Sequence, residues 1–229
     1  GTGAFALAIA GPKPLRNPAT GLLPTIAWKL GAAPATYAID GGGYNPASAL
    51  NWARDLGLFQ DFAEIDTFDS ESAIARNLVF VPALSGLGCP YWDRSAAGLW
   101  LGMGLETTKG DMVQAVLEGV ALRAAQVIEA MNGLHPISPR LSIDGGLANN
   151  GYFRDFLARA LGRAVTVPAS MELTGQGCAL FALIGAGLAT IDTLPPQAAP
   201  QATIASEKPL DPALRQKFGA AIERSRNWR

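Results

Sequence analysis

Histidine is almost absent from this 229-residue chain: His135, directly before Pro136, is the only one. That rules against a histidine-built metal cluster or a His-based triad, and His135 itself reads as a surface loop residue. Cysteine is nearly as scarce. Cys89 lies in a Gly/Pro loop and Cys178 in an apolar helical stretch, a spacing that gives neither a zinc site nor a disulfide framework. A reducing, cytoplasmic compartment is the expectation. Charge is sparse and balanced, with 18 basic residues against 19 acidic ones and a formal net charge of -1. Nothing there grips nucleic acid or an acidic membrane surface. No apolar run reaches about 18 residues, so no transmembrane helix is expected, and no signal-peptide pattern is visible. The sequence opens inside a glycine turn, Gly1-Thr2-Gly3, without a methionine. The expectation from that opening is one domain of a longer protein.

The abundant residues are apolar ones, at 49%, and glycine, at 26 residues. Together they suit an α/β protein with tight turns and close helix–sheet packing. The chain is organised around Ile143-Asp144-Gly145-Gly146-Leu147-Ala148-Asn149-Asn150. Residues 140–143 alternate like a half-buried strand, and Asp144 ends it. Two glycines allow positive φ and leave no Cβ in the way of a flat ligand. Asn149 or Asn150 then caps a helix to about Leu161, with Phe153, Phe156, Leu157 and Leu161 on one face. Backbone amides at such a helix N-terminus suit an anion or the edge of a nucleotide. On the motif alone, a plain tight turn between strand and helix fits equally well.

Along the chain, Phe5–Ala10 reads as a strand, with Gly1-Thr2-Gly3 as the hairpin turn before it. Glycines and a hydroxyl at such a turn can hold a phosphate. A Rossmann reading of the same letters fails, because a strand follows where that motif requires a helix. Leu22–Leu30 and Thr36–Ile39 alternate as strands. Asp40-Gly41-Gly42-Gly43 then repeats the Asp-Gly-Gly theme at a strand end, leading into a helix over 47–56 opened by Pro46. Residues 59–76 are helical in pattern, and 78–82 form a buried strand. A structured loop, 83–93, and a strand, 98–102, follow. Asp93 is expected to brace its loop beside Arg94. A long helix runs from about 110 to 132, carrying Glu118 and Arg123, for which a solvated or domain-interface pair is the expectation. The remaining elements are a strand over 164–167, a small-residue helix over 174–185 suited to close contact with another helix, a connector over 195–201 and an amphipathic helix over 211–228.

The segments Gly1-Thr2-Gly3-Ala4-Phe5, Tyr37–Gly41, Phe80–Asp93 with its Pro-Tyr-Trp-Asp, Ile143–Asn150 and Leu173–Ala179 occur in the order found in FGGY-family carbohydrate kinases. The sequence resembles the C-terminal half of that family across almost its whole length, and the glycerol kinases within it most. The resemblance implies an actin-like ATPase (ribonuclease H-like) domain, a mixed sheet flanked by helices, filling residues 1–229. It implies ATP and Mg²⁺ as cofactors and a small polyol or sugar as substrate: glycerol, or alternatively erythritol, xylulose or ribulose. By motif, Thr2 and Gly3 would meet the outer phosphates. Gly41 would approach the nucleotide with Asn45 beside it. Gly145 and Gly146 would pack on the adenosine, with Asn149 or Asn150 bonding the base, and Phe5 would lie against the polyol carbons. The stretch 41–46 is richer in glycine than the glycerol kinase pattern. The link from Gly146 to the asparagines is one residue shorter, which leaves Asn45 and the choice of asparagine open. No catalytic residue is assigned in this chain: the resemblance puts the general base and the usual Mg²⁺ carboxylate in a preceding N-terminal domain. That domain is the expected partner, with a homo-oligomer as a further possibility, and the chain alone is expected to lack kinase activity. A non-catalytic actin-like nucleotide-binding module is the alternative from another class.

Overall fold

A computed structural model describes residues 4–43, 48–170, 172–206 and 208–229. Eight strands and five α-helices follow one another as β1 (Ala4–Gly11), β2 (Leu23–Trp28), β3 (Thr36–Gly43), α1 (Ser48–Asp55), β4 (Val79–Val81), β5 (Leu99–Leu101), α2 (Lys109–Leu134), β6 (Leu141–Ser142), α3 (Gly151–Leu161), β7 (Val165–Val167), α4 (Leu173–Gly185), β8 (Ala202–Ile204) and α5 (Pro212–Ser225). The mixed sheet of the expectation is divided in three. β1-β3-β2 is antiparallel, β4-β5 is a two-stranded pair, and in β6-β7-β8 the first pair is parallel and the second antiparallel.

Helix α2 is the axis of the molecule. Thr108 caps it, with Asp111 returning a bond to the Thr108 N–H at 2.9 Å. Its first half packs Val113, Val116, Leu117 and Val120 into a cluster with Phe80, Phe156, Phe218 and Ile222. Its second half puts Val127, Ile128 and Met131 against Leu22, just before β2, and Ile39 of β3, and Leu141 of β6 joins that second cluster. The helix comes so close to β4 that a Cβ on Gly119 would lie 2.2 Å from the Phe80 carbonyl oxygen. A stack of Trp52, Phe80 and Trp100 fastens α1 to β4 and β5. On β1 the alternation is clean: Ala6, Ala8 and Ala10 face the core, while Phe5, Leu7 and Ile9 are exposed.

Several expectations change. Strand β3 does not stop at Asp40. It pairs through Gly41 opposite Ala6 and on to Gly43 opposite Ala4, so these glycines belong to the strand and not to a turn. Residues 59–76 form no α-helix. A single 3-10 turn, Phe62–Ile65, is closed by a capping box between Asp61 and Glu64, and looser turns follow. Glu118 and Arg123 are neither solvated nor paired with each other; both are buried. Arg123 donates to the Cys89 carbonyl at 2.6 Å and lies over the Tyr91 ring. Asp93 does brace its loop, through the Ser95 hydroxyl and N–H, but its cationic partner is Arg226 rather than Arg94. The Ser95 hydroxyl, foremost among these contacts, holds the Asp93 carboxyl below its usual range. Small residues in α4 do not bring it against another helix: none of its described residues is buried. Trp228 falls beyond α5 and is exposed. Among the described residues no helix is long and apolar enough to cross a membrane.

Candidate nucleotide corner

Strand β6 enters the corner with Ile143 donating to the Thr166 carbonyl of the neighbouring strand. The chain then turns at Gly145, whose φ of 86° lies in the region that favours glycine. One 3-10 turn, Gly146–Asn149, follows, with the Ala148 N–H bonded to the Gly145 carbonyl at 3.0 Å. Gly145, Gly146 and Asn149 are exposed, and no atom lies within 4 Å of where a Cβ would stand on either glycine. The two glycines therefore present bare backbone to open space, a surface on which a flat ring can lie.

The two asparagines separate. Asn150 is buried and caps α3: its Oδ1 accepts from the Phe153 N–H at 2.7 Å, and its Nδ2 donates to the Ile65 carbonyl at 2.8 Å. Both ends of its amide are engaged within the chain, and the side chain is buried. Asn149, exposed beside it, keeps a free approach from solvent.

The helix N-terminus itself is also taken, against the expectation that it suits an anion. Asp66 accepts from the Gly151 N–H at 2.6 Å through its carboxylate and from the Tyr152 N–H at 2.9 Å through its carbonyl. With Phe153 bonded to Asn150, the first three N–H groups of α3 are occupied by this chain, and a carboxylate already sits on the positive end. What remains open is the glycine turn and Asn149, a surface for a ring rather than for a phosphate.

The other expected residues lie on the first sheet. Phe5 is 71% exposed on edge strand β1, opposite Gly42. Gly41 is buried, and a Cβ there would meet Val127 Cγ1 of α2 at 2.3 Å, so its lack of a side chain admits the helix. Thr2, Gly3 and Asn45 fall outside the described residues. Beside Phe5, a hollow of about 410 Å³ is lined by Leu7, Ile9, Thr25, Ile26, Trp28 and Asp40. Asp40 Oδ1 is buried without a hydrogen-bond partner among the described residues, and burial raises its carboxyl above the ordinary value. The structure thus brings Gly145, Gly146 and Asn149 into one turn, and Phe5 and Gly41 into one sheet. Leu141 of β6 packs against the cluster that holds Ile39 of β3 and Val127 of α2.

Two residues outside the expected site hold the corner in place. Asp66 stands 85 residues from the amide it caps, and nothing local marks it. Glu118 carried a signal, a carboxylate set between Leu117 and Val120 on an apolar face. Its carboxylate accepts from Ala73 N–H at 2.7 Å, Ile74 N–H at 2.9 Å and the Tyr152 hydroxyl at 2.5 Å. Burial nonetheless pushes its pKa up to about 7.

The model of the C-terminal domain of the FGGY family of carbohydrate kinases matches residues 1–186. The whole chain aligns at 36% identity with 46% of a glycerol kinase from Thermus brockianus. A glycerol kinase from Myxococcus xanthus is 39% identical over 82% of this chain, which covers 38% of that protein. Among solved structures, a Plasmodium falciparum glycerol kinase with ADP superposes with a TM-score of 0.81 at 26% identity, over 98% of this chain and 46% of its own. A ligand-bound xylulose kinase from Lactobacillus acidophilus shares the fold, with a TM-score of 0.74 at 20% identity over 98% of this chain and 44% of its own. The chain spans less than half the length of the curated relatives it matches.

Proposed function

The chain belongs to the FGGY family of carbohydrate kinases, matching their C-terminal domain, and from that premise we propose that it is the nucleotide-binding half of an enzyme that phosphorylates glycerol with ATP. The fold is the actin-like ATPase fold of these kinases. The observation that carries the reading is the bare Gly145-Gly146 turn with Asn149 exposed at its end. The adenine ring lies on the two glycines, and the Asn149 carboxamide, a donor and an acceptor in one group, reads its edge. Phe5 supplies an apolar wall for the polyol carbons from the edge of the first sheet. Thr2 and Gly3 meet the outer phosphates, and Asn45 lies near the nucleotide.

The exposed glycine turn with Asn149 beside it suits the adenosine of ATP. Mg²⁺ would ride on the nucleotide phosphates and take its protein carboxylate from the N-terminal domain; among the described residues no three His, Cys, Asp or Glu side chains gather as ligands. Phosphoryl transfer depends on aligning the γ-phosphate with the acceptor oxygen and on clamping its charge from both sides. This chain supplies one side, and the N-terminal domain supplies the general base and the other side. The chain alone therefore does not turn over. An enzyme drawing on ATP is placed in the cytoplasm.

The test is ATP-dependent phosphorylation by the full-length protein across glycerol, erythritol, xylulose and ribulose. Turnover with glycerol is the expected result. Turnover with a ketose alone moves the substrate and unseats the role of Phe5. Nucleotide binding without any turnover favours the non-catalytic module.

A further inference from the structure

Two buried polar side chains of α2, Gln114 and Glu118, meet the first turn of α3 at one contact. Gln114 and Glu118, one turn apart on α2, are 0% and 1% exposed. Both reach the same hydroxyl: Tyr152 Oη donates to Glu118 at 2.5 Å and accepts from Gln114 Nε2 at 2.9 Å. Tyr152 is the second residue of α3, two positions after the cap Asn150. The segment 66–77 lies as a strap over the same contact. Asp66 holds the first two N–H groups of α3, Phe68 sets its ring edge-on to Tyr152 at 4.8 Å, and the Ala73 and Ile74 amides bind Glu118. Arg76, at the far end of the strap, donates to Gln114 Oε1 at 2.7 Å and pairs with Asp111 at 2.7 Å.

A buried carboxylate inside an apolar helix face is costly unless its hydrogen bonds are complete. Here each bond ends on one of two elements, the strap or the start of α3. A hydrophobic contact would hold these elements together but leave them free to slide, whereas directional bonds fix one registration. The fixed element is the one that carries Gly145–Asn149 on its N-terminal side.

We infer that Glu118 and Tyr152 are positioning residues for nucleotide binding: the carboxylate–hydroxyl bond pins α3 to α2, with the Asp66 strap between them, and so sets where the Gly145–Asn149 turn meets the adenosine. The inference rests on the reading of that turn as the adenosine site. Neither side chain touches the ligand. They act through the helix that Asn150 caps and that Asp66 holds by its first amides.

The experiment uses the full-length enzyme and compares wild type, Tyr152→Phe and Asn149→Ala, measuring KM for MgATP, KM for the polyol and the unfolding temperature. Tyr152→Phe removes one oxygen and keeps the ring against Phe68 and Phe156. The expected result is a rise of about five- to tenfold in KM for MgATP with the polyol KM unchanged. If Asn149→Ala weakens MgATP and Tyr152→Phe does not, the inference is overturned while the adenosine site stands. If neither variant moves the MgATP constant, the adenosine site itself is wrong and the inference falls with it. Equal loss for both substrates marks Tyr152 as a stability residue only and also overturns it. Should Tyr152→Phe fail to fold, Glu118→Gln keeps the side chain's volume but puts an amide where one acceptor oxygen stood, so it can no longer accept from both the Tyr152 hydroxyl and the Ile74 N–H, and the same outcomes decide.

Discussion

Replacing Asn150 by alanine separates a residue that holds the corner from one that reads a ligand. The substitution removes the Oδ1 cap from the Phe153 N–H and the Nδ2 bond to the Ile65 carbonyl, at a residue 8% exposed. Loss of an N-cap costs about 1 kcal/mol. A buried carbonyl left without its donor adds about 1–3 kcal/mol. Together they give about 2–4 kcal/mol, and for a domain of this size each kcal/mol lowers the unfolding temperature by about 2–4 °C. A drop of about 5–15 °C is therefore expected in calorimetry of the full-length protein. Asn149→Ala, at an exposed site, stays within about 0.5 kcal/mol of wild type. Asn150→Asp keeps the cap oxygen but turns an acceptor toward the Ile65 carbonyl, and recovers only part of the loss. The reasoning is refuted if Asn150→Ala melts like wild type while weakening ATP, with Asn149→Ala silent in both.

Three further outcomes follow from the same contacts. Gly119→Ala drives a Cβ to 2.2 Å from the Phe80 carbonyl oxygen, so α2 must lift from β4, at a cost of about 1–3 kcal/mol read by denaturant unfolding. Burial pushes the Glu118 carboxyl from the ordinary glutamate range up to about 7 in the fold. Its contribution to stability is thus full below about pH 4.5 and is lost as the pH rises through 7, by about 3 kcal/mol at most. Glu118→Gln should flatten that slope between pH 5 and 8, a range above the acid window in which the lowered carboxyls of Asp93 and Asp111 act; an unchanged slope would show that Glu118 is ionised throughout. Phe5→Ala, at a 71% exposed position, should leave the unfolding temperature in place and raise the polyol KM without moving that for ATP.

The sequence carried the elements whose pattern is local. The strand over 5–10, the alternation of β2 and the apolar spacing of α2 are set by period and punctuation, and the described residues follow them. What it hid depends on distant partners. Gly41–Gly43 look like a turn in one dimension, yet they form a strand, because Ala6 and Ala4 pair with them and α2 needs the space over Gly41. Strand β8 is only three residues long and exists by pairing with β7. The strap looks helical in its spacing, but its amides serve Glu118 instead of a helix of their own. At the corner, the glycine turn was legible from Gly145-Gly146. Which asparagine is buried as the cap of α3 was not, since that depends on the Ile65 carbonyl, 85 residues away.

The central claim is that the bare turn at Gly145-Gly146 is where the nucleotide lies, and Gly146→Val tests it most directly. The position does not require positive φ, and nothing lies within 4 Å of its Cβ site. The fold therefore accepts the side chain, which enters only the space assigned to the adenosine. In a direct titration of the full-length protein with MgATP, the account predicts a near-wild-type unfolding temperature and affinity weakened at least about tenfold, the scale of a misplaced ligand. A well-folded Gly146→Val protein that binds MgATP as wild type does would contradict it.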